Sequence, residues 1–240
     1  AQAKDRIVER PPFLAQNSSS IEIDKIVMSD TVTTVYIKAF YRPKYWIKIA
    51  TGSVLKDNNG ILYPIRKGIG ITLDKEFWMP ESGEAEFQLT FPPIPQNVTR
   101  LDFSEGDFEG AYKIWGIQLD KKSFGKFKLP KDVIVPKADH KMTLPDPIVK
   151  YDKAILKGRI LDYQKGMPDK GSLYYQDVIR EGAQEGKIRI QDDGTFYHEM
   201  NVFMITPCTI MFPFGTIEYL LAPGETTSIV INLRENARKQ

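Results

Sequence analysis

Few residues of this chain have the type and spacing that nucleophilic catalysis needs. The only cysteine, Cys208, lies in the apolar run TPCTIMF, and the two histidines, His140 and His198, are far apart in the sequence. A cysteine nucleophile needs a nearby base and a polar, accessible setting, so we predict that Cys208 is a small buried hydrophobic residue. No Gly-x-Ser-x-Gly elbow is present, and two separated histidines argue against a Ser-His-Asp triad. Since one thiol cannot complete a dithiol cycle, we predict no redox activity for this chain alone.

The oxygen-rich turns do not match known ion sites. Asp57–Gly60 begins like a calcium loop, but Leu62 stands where the sixth-position glycine belongs and Gly68 where the twelfth-position glutamate belongs. We therefore predict hairpin turns both there and at Asp192–Gly194. The sequence has no histidine and cysteine cluster with zinc spacing, and Gly68–Gly70 lacks the third glycine of a dinucleotide fingerprint. We predict no metal and no cofactor.

Two carboxylate pairs are candidates for acid–base chemistry. A glycoside hydrolase needs two carboxyl groups flanking a cleft, and the chain offers Glu84 with Glu86 and Asp102 with Glu105. Glu84 and Glu86 alternate with apolar residues along a predicted strand, so a solvated polar face is the default interpretation. We expect neither pair to be catalytic, and we predict that this chain is not an enzyme.

An aromatic cluster is the strongest candidate for a binding surface. It consists of Tyr41, Tyr45, Trp46, Phe77 and Trp78. Flat aromatic side chains on strand ends can stack on sugars or form the centre of a protein interface. The alternative, which we favour at this point, is that Trp46 and Trp78 plug the ends of a β-sandwich, because aromatic residues dominate such cores. The candidate binding residues are Tyr45, Trp46, Phe77 and Trp78.

The elements that would position these residues are β-strands. Thr31–Tyr41 is dense in β-branched and aromatic residues, and Glu84–Phe91 alternates cleanly between apolar and polar residues. Short strands of this kind recur with turns every 8–12 residues, and no long helix is predicted. The chain is therefore predicted to be all-β, with two antiparallel, Ig-like β-sandwich domains.

A proline-rich stretch divides the chain. Residues 129–152 contain four prolines and no glycine, which favours an extended linker. On that division we expect a flexible lead-in or edge segment over 1–20, an Ig-like sandwich over 21–128 and a small sandwich over 153–235.

Composition excludes some partners. The chain has 33 basic and 31 acidic residues, a net charge of +2, so no global field draws it to nucleic acid. No apolar run approaches the roughly 20 residues that a transmembrane helix needs. The N-terminus, AQAKDRIVERPPF, also has no apolar segment of a signal peptide, which leaves two alternatives: a cytosolic protein, or an exported one whose signal peptide has been removed.

Motifs in the second half carry a family resemblance. KGRILDY from Lys157, Asp-Gly-x-Phe at Asp193–Phe196 and Leu-Ala-Pro-Gly-Glu at Leu221–Glu225 are followed by the alternating strand SIVINL. These motifs resemble the small β-sandwich domain upstream of the thioredoxin-like domain in TlpA/ResA-like thiol–disulfide oxidoreductases of Bacteroidetes. KAFYRPKYWIKI, LDKEFWMPESGEAEF and DFSEGDFEGAYKIWGI look like the Ig-like region that precedes this domain in larger members. The resemblance covers about residues 20–235.

The resemblance implies an accessory role. The family's catalytic part is a thioredoxin-like domain with a Trp-Cys-x-x-Cys motif, and this chain has no Cys-x-x-Cys. We therefore expect a non-catalytic scaffold that positions, or gives specificity to, a downstream thioredoxin-like domain of the same polypeptide, which would be its partner. The family context implies a location in the periplasm or at the cell surface.

A binding module is the alternative function. In that case the aromatic cluster would take a glycan or a peptide, and exposure of Trp46 and Trp78 would support the idea. The exposed edge strands of two sandwiches also leave a homodimer open.

Overall fold

The computed structural model describes residues 5–120, 128–134, 137, 143, 146, 149–176 and 182–237. It divides the chain into two compact units, one comprising Ala1–Lys126 with Ala237–Gln240 and the other comprising Phe127–Asn236. Strands dominate both units, and they pair into several sheets that are almost entirely antiparallel. The predicted all-β sandwich class is therefore confirmed. Much of the predicted linker 129–152 lies outside the described residues.

The first unit has two five-stranded sheets and a two-stranded ribbon. The sheet orders are β1-β3-β4-β10-β8 and β2-β12-β11-β6-β7, and β5 pairs with β9 in the ribbon. The strands are β1 Arg6–Glu9, β2 Ala15–Gln16, β3 Ile21–Met28, β4 Thr33–Phe40, β5 Trp46–Ile47, β6 Val54–Asp57, β7 Leu62–Pro64, β8 Lys67–Ile69, β9 Phe77–Trp78, β10 Glu84–Phe91, β11 Arg100–Ser104 and β12 Lys113–Gln118.

Alternation along β4 and β10 creates the core of this unit. Val35, opposite Leu89, and Ile37, opposite Phe87, are all buried. Tyr36 and the other residues between them are more exposed, because successive strand side chains point to opposite faces. The largest fully buried side chains come from both sheets and include Phe91, Phe103, Ile26, Met28, Ile37, Leu55, Leu89, Leu101 and Ile117. The buried face of β4 and β10 that the alternating pattern predicted is therefore confirmed.

Of the two alternatives for residues 1–20, a flexible lead-in or an edge segment, the structure shows the edge segment. The chain uses Arg6–Glu9 as an edge strand on β3 and Ala15–Gln16 as an edge strand on β12. The guanidinium of Arg6 donates to the carbonyl oxygens of Gln96 at 2.7 Å and Leu119 at 2.5 Å. Local composition does not reveal these hydrogen bonds, because the acceptors lie far from Arg6 in the sequence. A polar and proline-rich segment is nevertheless compatible with an edge strand.

The second unit is a smaller sandwich. Its sheets have the orders β16-β13-β19 and β15-β14-β17-β18. One pair, β13 with β19, is parallel, although the prediction was wholly antiparallel. The elements are β13 Asp152–Leu161, β14 Lys170–Gln176, β15 Ala183–Arg189, β16 Thr195–Val202, β17 Thr206–Phe212, β18 Gly215–Leu221, β19 Thr226–Asn232 and the short helix α1 Leu233–Ala237.

The two strongest turn signals of the second unit are confirmed. Gly194, with φ +82°, follows Asp193, whose carboxylate accepts hydrogen bonds from the amide of Thr195 at 2.9 Å and its hydroxyl at 2.7 Å. Gly224 has φ +78° in the turn between β18 and β19, where the amide of Glu225 donates to the carbonyl of Ala222. Both glycines adopt the left-handed conformation that these turns require.

Candidate functional site

The β5–β9 ribbon carries the two tryptophans on its outer face. Trp46 pairs directly opposite Trp78, and Ile47 pairs opposite Phe77. Ile47 is buried, whereas Trp46 is 44% and Trp78 is 60% exposed. Because facing side chains of an antiparallel pair lie about 5 Å apart at Cβ, the two indoles start from neighbouring points of one surface.

A tight turn presents the residues before Trp46. The amide of Tyr45 donates to the carbonyl of Arg42 at 3.1 Å, with Pro43 and Lys44 at the two central positions. Lys44 has φ +62°, which together with proline at the first central position corresponds to a type II turn. A left-handed conformation is costly for a residue with a Cβ, so this turn holds local strain.

Backbone hydrogen bonds fix this turn to the strand that carries Trp78. The amide of Met79 donates to the carbonyl of Tyr45 at 2.8 Å, and the amide of Lys44 donates to the carbonyl of Met79 at 3.2 Å. The amide of Tyr41 donates to the carbonyl of Gly83 at 2.9 Å. Since Met79 is itself buried, the exposed aromatic residues stand on a fixed backbone.

We call Tyr41, Tyr45, Trp46 and Trp78 the aromatic platform. Tyr41 and Tyr45 make an edge-to-face contact with ring centroids 6.3 Å apart and an interplanar angle of 87°. All four side chains are at least 40% exposed. Soluble domains normally keep large apolar surfaces out of water, so these four exposed side chains are the candidate binding surface of this unit.

The structure corrects two expectations about this cluster. Trp46 and Trp78 do not plug the sandwich, contrary to the interpretation that we favoured from the sequence. Phe77, one of the candidate binding residues, packs inward instead, with its ring 6.2 Å from that of Phe87. The signal lay in the alternation of Trp46 and Lys48 with Ile47 and Ile49, where the isoleucines are buried and the other two residues exposed.

Polar groups surround the platform. The ammonium of Lys44 lies 3.0 Å from the carboxylate of Glu81, and both side chains are well exposed. The guanidinium carbon of Arg42 lies 5.8 Å from the ring centroid of Tyr45, within the range of a cation–π contact. The platform therefore combines flat apolar surfaces with hydrogen-bonding groups at their edges.

The buried carboxylates of this unit are occupied by backbone amides. Glu105 accepts hydrogen bonds from the amides of Ala50 and Tyr112, each at 2.9 Å. Burial raises the pKa of Glu105, against the opposing effect of the two amides. Asp102 accepts a bond from the amide of Gly116 at 2.7 Å. Glu105 thus links Ala50 to Tyr112, and Asp102 on β11 links to Gly116 on β12.

Asp57 closes a turn and is not arranged as a calcium ligand. Its Oδ1 accepts bonds from the amides of Asn59 and Ile61, and its Oδ2 accepts one from the hydroxyl of Tyr63. Burial opposes the charged form, but these hydrogen bonds hold the pKa of Asp57 below its ordinary value. Within the described ranges, no group of three or more His, Cys, Asp or Glu side chains is placed to hold a metal ion.

The sulfur and imidazole groups of the second unit lie in apolar surroundings. Cys208 is buried, as predicted, and burial raises its pKa to about 11. His198 is half-buried on β16, and loss of solvation lowers its pKa. His140 falls outside the described residues.

Comparison with known proteins identifies no family. No family model matches the chain, and no curated protein does. A type I pullulanase from Bacillus subtilis str. 168 complexed with maltose is 8% identical, with a TM-score of 0.29 over 79% of this chain and 23% of that one. A pullulanase from Anoxybacillus sp. LM18-11 complexed with maltotriose is 11% identical, with a TM-score of 0.29 over 79% of this chain and 24% of that one. The TIE protein of Bacillus anthracis is 9% identical, with a TM-score of 0.24 over 95% of this chain and 40% of that one.

This chain spans about a quarter of the length of the pullulanases it matches. The TM-scores are too low to carry an argument about its function. In the part of the chain that the structure describes, no helix has the length and apolar character of a membrane span.

Proposed function

We propose that this chain is a non-catalytic β-sandwich region that binds glycans through its aromatic platform, outside the cytoplasm. The single observation that carries this proposal is the cross-strand pair of Trp46 and Trp78, which a rigid ribbon holds 44% and 60% exposed. A tryptophan buries about 150–250 Å² when it is covered, so the pair presents a large area that a ligand can remove from water.

The chemistry of the platform favours a sugar over a peptide. A pyranose ring has a flat face of C–H groups that stacks on an indole, and a rim of hydroxyl groups that needs hydrogen-bond partners. The platform offers both, since the ion pair of Lys44 and Glu81 and the guanidinium of Arg42 lie beside the rings. An apolar side chain of a peptide would instead bind best in a pocket that buries it, as the hot-spot residues of protein interfaces do.

A non-catalytic role agrees with the state of the buried acids. Asp102 and Glu105 are the acids that a hydrolase mechanism would need in a cleft. Both oxygens of Glu105 accept from backbone amides, whereas Asp102 accepts from one amide and its other oxygen lies 3.6 Å from the ammonium of Lys56. We expect hydrolysis of model glycosides by this chain to stay at background.

The binding proposal is tested by screening the full chain on a glycan microarray and measuring affinity for the glycans retained. The double variant W46A/W78A is expected to weaken binding about thirtyfold or more, because truncating a hot-spot aromatic costs about 2 kcal/mol. Phe108→Ala is the matched control, since Phe108 is an exposed aromatic residue of the same unit at 49%. Retained binding by the double variant, or no glycan bound by the wild type, would contradict the proposal.

An accessory role beside a thioredoxin-like domain is the second candidate. It rests on the motif order of the second unit, in which the Asp193–Phe196 and Leu221–Glu225 motifs each contain a tight turn. The two proposals are compatible, because a glycan-binding region can place a redox domain at a surface. An encoding gene that continues past Gln240 into a Cys-x-x-Cys segment is expected, and one without such a segment would remove this candidate.

A further inference from the structure

The charges beside the platform point to one class of glycan. Three exposed cations lie within three residues of Tyr45 in the sequence: Arg42, Lys44 and Lys48. Lys44 is paired with Glu81 at 3.0 Å. Arg42 is exposed, and among the described residues its guanidinium has the Tyr45 ring as a neighbour but no carboxylate as an ion-pair partner.

Backbone geometry places Arg42 at the edge of the platform. It occupies the first position of the turn that ends at Tyr45, and its carbonyl accepts the hydrogen bond that closes the turn. The following Pro43 restricts the backbone of Arg42 to extended conformations. The guanidinium carbon lies 5.8 Å from the centroid of the Tyr45 ring, so the charge lies beside one ring of the platform.

The opposite end of the ribbon carries both positive and negative side chains. Lys48 lies two residues beyond Trp46 and shares its outward face, and Glu76 lies two residues before Trp78 on the facing segment. Continuing the antiparallel register sets Lys48 opposite Glu76. The charge of Lys48 also acts on Asp74 and Glu105. Lys44 and Lys48 therefore both have carboxylates near them, whereas Arg42 has no ion-pair partner among the described residues.

We infer that the platform is selective for acidic glycans, with Arg42 as the residue that recognises a uronic acid carboxylate. This inference rests on the proposed function. A guanidinium forms two parallel hydrogen bonds with a carboxylate, a geometry that a lysine ammonium cannot reproduce. A uronic acid ring carries its carboxylate at the ring edge, so its sugar face can stack on a ring of the platform while the carboxylate binds Arg42 beside Tyr45.

The experiment compares two oligosaccharides of equal length, an oligogalacturonide and a neutral galacto-oligosaccharide, by isothermal titration with the full chain. We expect the wild type to bind the acidic ligand about tenfold more tightly, because the hydrogen bonds between the guanidinium and the carboxylate are charge-assisted. Arg42→Gln is expected to remove this ratio, because it weakens binding of the acidic ligand by more than that of the neutral one. Arg42→Lys should restore only part of it, because the charge remains but the fork is lost.

The control is Arg66→Gln, which removes the same charge from an exposed arginine of the same unit that donates to the carbonyl of Thr31. Arg66→Gln is expected to keep the full acidic preference. An equal loss in both glutamine variants would assign the preference to non-specific attraction and overturn the inference. An unchanged ratio in Arg42→Gln would also overturn it, while leaving the proposed function standing. Failure of the W46A/W78A variant to weaken either ligand would instead overturn the proposed function.

Discussion

The ring of Phe196 covers Gly158, its cross-strand neighbour in the pair of β13 and β16. A Cβ added at position 158 would overlap three carbons of that ring. Phe196 is buried and makes an edge-to-face contact with Phe212, with ring centroids 5.4 Å apart. The glycine of KGRILDY and the phenylalanine of Asp-Gly-x-Phe, two motifs that carry the family resemblance, therefore form one packing unit.

Gly158→Ala is expected to destabilise the second unit by about 3 kcal/mol, because a packed aromatic ring has to move to admit one methyl group. Urea unfolding of the variant measures this change. Shortening the ring in the double variant G158A/F196L should recover part of the loss, and a double-mutant cycle measures the coupling. Gly52→Ala is the control, since a Cβ there would have ordinary contacts, with a nearest atom at 3.7 Å. Equal stabilities of Gly158→Ala and wild type would contradict this account.

Sequence patterns predicted the strands with long alternation and the tight turns. The alternation in Thr33–Phe40 and Glu84–Phe91 extends over eight residues in each strand, long enough for the buried face to be identified. Asp193 with Gly194 and Pro223 with Gly224 have backbone preferences that determine turns locally. These features depend on neighbours in sequence, so the sequence reveals them.

The candidate site depends on pairings that local sequence does not contain. The strand Phe77–Trp78 has two residues, too few to show a period, and its pairing with Trp46–Ile47 is what places Trp78 on the face of Trp46. The alternation over residues 46–49 does mark the outward face, but it is half as long as that of β4 or β10. The strands of residues 6–16 were missed for a related reason, since their partners β3 and β12 lie elsewhere in the chain.

Glu105→Ala is expected to lower the free energy of unfolding by about 3 kcal/mol at pH 7. The carboxylate satisfies the amides of Ala50 and Tyr112, and each buried amide left without a partner costs about 1–3 kcal/mol. Chemical denaturation of the variant beside wild type checks the value. Glu86→Ala, which removes an exposed carboxylate from β10, should change stability by less than about 0.5 kcal/mol.

The same carboxyl group gives stability a pH dependence of defined sign. Burial raises the pKa of Glu105 in the folded chain, with Lys48 acting against the shift and Asp74 adding to it. The folded state therefore holds the proton more tightly than the unfolded state. The resulting stabilisation is fully present below the unfolded pKa of about 4.3 and is lost as pH rises through the folded value. The difference in unfolding free energy between wild type and Glu105→Ala should thus be larger at pH 4 than at pH 7. A difference that grows with pH would show that the amides outweigh burial.

Cys208 should resist thiol reagents until the second unit unfolds. Burial raises its pKa to about 11, so at pH 8 only about one thiol in a thousand is ionised even before access is considered. Labelling with a chromogenic disulfide is expected to be slow in buffer and fast in denaturant. Insulin reduction by the chain should stay at background. Rapid labelling of the folded protein would contradict the buried placement of this side chain.

Lys44 offers a test of strain beneath the aromatic platform. Its φ of +62° is costly for any residue with a Cβ and free for glycine. Lys44→Gly and Lys44→Ala both remove the exposed ion pair with Glu81, so only the backbone distinguishes the two variants. We expect the glycine variant to be more stable than the alanine variant by about 1 kcal/mol, because relief of the left-handed strain exceeds the entropy that glycine adds to the unfolded chain. Thermal unfolding of the pair measures the difference. Greater stability of the alanine variant would mean that the turn leading to Tyr45 and Trp46 is not held in a left-handed conformation.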